Sequence, residues 1–145
     1  MTASQEGNNV YKPAPPVPQT FTIIAWTIQG FHAPVSMPQN GTPVWNVVKG
    51  GSTRPLKFNI YAGAVEQTAL SAVNGGSVAL YTVGCQPGDA TELAAEIDNT
   101  GSTSLRYDGT QFIQNWKTPK KANVCYAVRM TARDGSAITG YFRTK

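Results

Sequence analysis

The run from Lys49 to Tyr61 limits what this chain can become. It opens on glycine and proline and ends in alternation. Gly50 and Gly51 admit backbone angles that side chains disfavour, and Pro55 fixes φ as the chain straightens. Beyond it, Leu56, Phe58 and Ile60 share one side of an extended segment, while Lys57, Asn59 and Tyr61 share the other. A period of two belongs to a strand with one face on a core. It does not belong to a phosphate loop or a catalytic turn. The run reads as an edge folded into a two-sheet β-sandwich.

The remaining punctuation agrees. Asn40-Gly41 is a turn before a short strand at Val44 to Val48. Asn74-Gly75-Gly76 separates 69–73 from 77–85 in hairpin fashion, Asp108-Gly109 joins 104–107 to 111–116, and Asp134-Gly135 joins 124–132 to 137–142. In the 124–132 run, Val124, Tyr126, Val128 and Met130 share one face, and Cys125, Ala127, Arg129 and Thr131 the other. Phe21 to Ile28 is apolar on both faces, which suits a central strand or one between layers. Asp89 to Ile97 has helix formers and capping-box spacing between Asp89 and Glu92; it reads as a short helix or an extended crossover strand. The expected core includes Leu56, Phe58, Ile60, Trp116, Val124, Tyr126 and Val128.

At 145 residues the chain is one domain, residues 20–145, behind an arm of residues 1–19. Pro13, Pro15, Pro16 and Pro18 favour a polyproline II spacer in that arm, or a segment lying along a neighbour. Only 14% of residues are charged, while Gly (14) and Pro (10) are plentiful, as an all-β domain with many turns requires. From Arg106 onward, eight basic residues face only Asp108 and Asp134, a bias towards anionic partners or simply a solvated basic surface.

Cys85 and Cys125 cannot form a four-cysteine zinc site, and the lone His32 is distant in sequence. A disulfide is the better reading, with two buried thiols as the alternative; a bridge implies an oxidising compartment or extracellular destination. The start, Met1-Thr-Ala-Ser-Gln-Glu, lacks the basic and apolar regions of a signal peptide. Three explanations reconcile this with a bridge: a removed leader, excision from a larger surface protein, or release inside an assembled particle. No stretch has the length of a transmembrane helix.

Candidate chemistry is sparse. A serine triad would have to use His32, which reads as a loop residue, and no Gly-x-Ser-x-Gly elbow is present. Asp89, Glu92, Glu96 and Asp98 form an acidic cluster without a calcium-loop pattern. Trp116, Lys117, Lys120 and Lys121 combine an aromatic with three cations, a pattern able to stack a sugar or base beside anionic groups; the competing reading makes Trp116 a core residue above a lysine loop. Asn40-Gly-Thr42 is a formal glycosylation sequon followed by Pro43.

The run Val48-Lys-Gly-Gly-Ser-Thr-Arg-Pro-Leu-Lys-Phe58 resembles the signature of the PxKF domain, a small module of bacterial exported proteins. Gly30-Phe31, Pro34-Val35, Leu105 to Asp108, Asn115 to Thr118, Cys125, Asp134 to Ser136 and Phe142 resemble its other elements, in order, over about residues 20–145. Arg54 departs from the small apolar residue usual before the proline, and Pro119 to Asn123 replaces a loop that often carries a further aromatic and glycine. The resemblance implies an Ig-like β-sandwich with a disulfide, set in larger exported proteins beside adhesin-type modules, with no catalytic residues to carry over. The Trp pattern of antibody domains does not transfer, because Trp116 follows Cys85 by 31 residues and precedes Cys125 by 9.

The expected function is therefore a non-enzymatic structural or adhesive module on an extracellular bacterial surface. A virion decoration or fibre protein and a carbohydrate-binding accessory domain are the alternatives. Protein or surface-glycan partners are expected, or a capsid or neighbouring subunit reached through residues 1–19. Nucleic acid is a poor fit, and no cofactor or metal is implied.

Overall fold

The computed structural model describes residues 2–5, 14–76, 78–86, 96–97 and 104–145. Two five-stranded sheets pack face to face. The first orders β3 (Trp26–Gly30), β5 (Thr53–Ala62), β10 (Phe112–Lys117) and β9 (Arg106–Tyr107), with β6 (Val65–Gln67) also on β5. The second orders β4 (Trp45–Val48), β12 (Ala137–Thr144), β11 (Cys125–Thr131), β7 (Ala79–Val83) and β8 (Glu96–Ile97). Neighbours are antiparallel except β4 and β12, which run parallel. The expected all-β sandwich is thus the fold.

The alternation after Pro55 decides the packing. Leu56, Phe58 and Ile60 are each 0% exposed. Phe58 stacks on Phe112 at 5.3 Å and meets the edge of Phe31 at 6.0 Å. Tyr126, Val128 and Met130 close the core from β11, as their shared face requires. Each large apolar side chain buried this way contributes about 1.5–3 kcal/mol. Gln114, inside the core, accepts a hydrogen bond from the Val78 N–H at 3.0 Å and so fixes the approach to β7.

Three expectations need correction. β5 pairs on both sides, with β3 against one and β10 and β6 against the other, so it is a central strand and not an edge. The Phe21 to Ile28 run is not central. Its strand begins only at Trp26, pairs with β5 alone, and leaves Phe21 (64% exposed), Ile23 (92%) and Ile24 (55%) outside the core. Apolarity on both faces is not sufficient when no second strand arrives. Nor is Asn74-Gly75-Gly76 a hairpin turn. Leu70–Ala72 and Asn74–Gly76 are 3-10 turns, and Val73 bridges Ala132. The segment must cross from the first sheet at β6 to the second at β7, and Ala72 and Val73 are buried against the core on the way.

The other turns match their chemistry. Asp108-Gly109 joins β9 to β10, and Asp134-Gly135 joins β11 to β12. Asn40 and Gly41 take φ of 49° and 76° between bridged Gln39 and Thr42. In the arm, Thr2–Gln5 (β1) pairs with Ala14–Pro18 (β2). Extended and polyproline II backbones are close neighbours, and the proline carbonyls can still accept hydrogen bonds. The helix-or-strand question over 89–97 falls mostly outside the described residues; Glu96–Ile97 is strand.

Gly30 ends β3 at φ +133°, where a Cβ would sit 2.8 Å from the Lys57 carbonyl oxygen and 2.9 Å from the Phe58 Cβ. Gly30→Ala is therefore expected to destabilise the fold by more than ~1 kcal/mol, read as a lower urea midpoint at unchanged slope.

Candidate functional site

The bridge forms between Cys85 and Cys125, with Cα atoms 5.4 Å apart. The β11 alternation points Cys125 away from the sandwich core, yet the residue is only 1% exposed. A second apolar cluster covers it. Val83, Cys125 and Ala127 are buried, with Trp45, Tyr81, Cys85 and Tyr141 packed around them on the outer face of the second sheet.

Strand register arranges that face. Trp45 pairs with Tyr141, Tyr141 with Ala127, and Ala127 with Tyr81, so one row crosses β4, β12, β11 and β7. Trp45 and Tyr141 meet edge to face at 5.7 Å. All three aromatics are partly exposed. The next row is Val47, Arg143, Cys125 and Val83, with Val47 56% exposed and Arg143 exposed. On the other side Arg129 pairs with Thr139 and Ala79. The Arg129 Nε is buried without a hydrogen-bond partner.

The four residues singled out around the lysine loop are divided by the structure. Trp116 is in the core, 1% exposed, edge to face with Phe142 at 4.8 Å and Tyr126 at 6.4 Å. Its rings are not available for stacking a ligand. Lys117, Lys120 and Lys121 are exposed. Thr118 ties their loop to the Lys49 to Ser52 turn: its N–H donates to the Ser52 carbonyl at 2.8 Å, and its hydroxyl lies 2.9 Å from the carbonyls of Lys49 and Ser52. Lys145 joins the same end, its N–H donating to the Val48 carbonyl at 2.9 Å, while the Thr144 hydroxyl donates to the Lys121 carbonyl at 2.6 Å. Lys49, Lys117, Lys120, Lys121 and Lys145 thus gather at one end of the sandwich. Arg143 lies between that end and the aromatic row.

His32 belongs to a polar brace. Asn59 donates through Nδ2 to Glu66 Oε1 at 2.6 Å and to the Thr110 carbonyl at 2.7 Å. Its Oδ1 therefore accepts from His32 Nε2 at 2.7 Å, and Tyr107 donates to the same Glu66 oxygen at 3.1 Å. Every member has a structural partner, and the brace joins the loop after β3 to β5, β6 and the turn between β9 and β10. Partial burial, then the Glu66 contact, raises the Tyr107 pKa above its ordinary value. The stabilising effect of neutral Tyr107 is present below pH ~10 and is lost as pH rises through the folded value. A small pocket is lined by Pro34, Asn46, Val48, Arg54 and Phe142, and the Arg54 Nε is buried there without a partner. Among the described residues no group of three or more metal-ligating side chains occurs; the acidic cluster at 89–98 lies outside them except for the Glu96 backbone.

Two carboxylates brace the hairpin turns. Asp108 Oδ1 accepts from the Thr110 N–H at 2.9 Å, the Thr110 hydroxyl at 2.8 Å and the Gln111 N–H at 2.9 Å. Asp134 Oδ1 accepts from the Ser136 hydroxyl and N–H, and its Oδ2 accepts from the Trp26 N–H at 3.3 Å, linking the two sheets. These bonds, led by the Thr110 N–H and by the Ser136 hydroxyl respectively, hold both carboxyls below the usual range. A depressed folded pKa gives stability that is complete above the unfolded value near ~4 and is lost as pH falls through the folded one. Urea midpoints are expected to drop on acidification from about pH 5 to 2, and Asp108→Asn with Asp134→Asn should flatten that limb.

Sequence reading missed the outer aromatic face. The signal was present: Trp45 alternates with Val47, Tyr81 with Val83, and Tyr141 with Arg143, so large side chains occupy the positions opposite the core. No protein-family model matches the chain, and no curated protein matches it. Fold and bridge together define the class: an all-β two-sheet sandwich clamped by a disulfide.

Proposed function

We propose that this chain is a non-enzymatic, Ig-like structural or adhesive module working outside the cell, as its PxKF-like motifs imply. The observation that carries the reading is the Cys85–Cys125 bridge, sealed beneath an aromatic cluster on a rigid sandwich. Such bridges persist in oxidising compartments and are rare in the cytosol. No helix among the described residues is long and apolar enough to cross a membrane, so this route to a surface is not offered by those residues. Contacts would be made by the exposed faces and loops that the sandwich holds in place.

The test is accessibility in the natural source. Intact cells are treated with a membrane-impermeant biotin reagent, and the recovered protein is digested without reduction. Biotinylation before lysis together with a Cys85–Cys125 linked peptide is expected. Protection until lysis, with both thiols reduced, would overturn the reading. A particle-bound decoration protein is the second reading. It is favoured by the exposed Phe21, Ile23 and Ile24, an apolar segment beside an edge strand and next to the proline-rich arm. Co-sedimentation with particles, lost on deleting residues 1–24, would mark that version.

A further inference from the structure

We propose that the outer face of the second sheet binds an acidic polysaccharide, laid across Trp45, Tyr141 and Tyr81 with its charges on Arg143 and Arg129. The proposal rests on the extracellular reading above, since that is where such chains are met.

The face has an unusual composition for solvent-facing strand positions. Register puts the three aromatics in one row, and the row spans three strand spacings, about 14 Å. The buried Cys125 and Ala127 give this row a firm floor. Aromatic rings present apolar surface at low entropic cost when a sheet already fixes them, and sugar rings offer apolar C–H faces to meet them. A sugar chain also carries hydroxyls, which suit the tyrosine phenols.

Charge chooses among glycans. Arg143 stands one register row from the aromatics on one side, and Arg129 on the other. Arg129 is partly exposed while its Nε is buried, so an anion at the face would meet the terminal nitrogens of the guanidinium. Beyond Arg143 the surface leads to the end that carries Lys49, Lys117, Lys120, Lys121 and Lys145. A linear polyanion therefore finds apolar contact on the sheet and positive charge continuing past its margin. Neutral glycans would leave the arginines unused.

The experiment uses the full, bridged chain in affinity gel electrophoresis against polygalacturonate, with neutral dextran and a single-stranded oligonucleotide in parallel gels. Retardation by polygalacturonate, little by dextran and less by the oligonucleotide is expected. Trp45→Ala and Tyr81→Ser should each weaken retardation at least about tenfold. Tyr81→Ser acts away from the Trp45–Tyr141 contact and serves if Trp45→Ala unfolds. Arg143→Gln should weaken binding and reduce its dependence on salt. Circular dichroism and the intact bridge confirm the fold of each variant. Three binding results overturn the proposal: no retardation of the wild type, binding that survives both aromatic substitutions in folded protein, or tighter retention by the oligonucleotide. A concentration-dependent dimer abolished by Tyr81→Ser would also overturn it, assigning the face to a second copy. None of these outcomes touches the extracellular reading, which the biotinylation experiment decides separately.

Discussion

Trp116→Ala is expected to lower stability by about 3–5 kcal/mol, the usual range for truncating a fully buried aromatic. Trp116 is 1% exposed and lies against Phe142 and Tyr126, so its removal opens a void between the two sheets. Rings on both sides belong to strands fixed by hydrogen bonds, which restricts collapse into the space. One detail moderates the loss: the indole Nε1 is buried without a partner, and that cost disappears with the side chain. Urea unfolding of the variant measures the effect. A loss below ~1 kcal/mol would contradict the core assignment, as would a folded variant that lost only ligand binding.

Removing the bridge is expected to have an effect of similar size. The linked residues are 40 apart in sequence, and chain-entropy arguments give about 4 kcal/mol for a loop of that length. The Cys85→Ala/Cys125→Ala double variant, compared with the parent under oxidising conditions, tests this through the denaturant midpoint. The contribution arises in the unfolded chain, which the bridge confines, so reducing agent should bring the parent close to the variant while leaving the variant itself unchanged. Equal midpoints for parent and variant in the absence of reductant would show that the bridge contributes nothing.

Local chemistry in the sequence specified a large part of the fold. Asp108-Gly109 and Asp134-Gly135 are tight turns whose carboxylates cap their own backbones, and each joins neighbouring strands as its flanking alternation indicates. The two faces of β11 were separable because core and outer residues alternate without interruption. Pairing partners were less legible. Nothing in Phe21 to Ile28 records that only one strand arrives beside it. Nothing in Asn74-Gly75-Gly76 distinguishes a hairpin from a crossover between sheets, because both need a positive φ such as that of Gly75.

The candidate site shows the same limit more sharply. Lysines follow Trp116 in sequence, but Phe112, Gln114 and Trp116 share the core-facing side of β10. Trp45, Tyr81 and Tyr141 lie far apart in the chain and meet only through the pairing of β4, β12, β11 and β7. Each was visible as an aromatic at an outward strand position. Their common row depends on long-range register, which no local pattern encodes.

The position of β12 has a consequence for biosynthesis. Residues 137–144 lie between β4 and β11, so the second sheet has a vacant central place until that stretch clears the ribosome. At ~5–20 residues per second, the preceding strands wait for seconds with their greasy sides uncovered. Docking of residues 137–144 is therefore the step that completes this sheet, and holding factors have a defined interval before it in which to protect the strands already made.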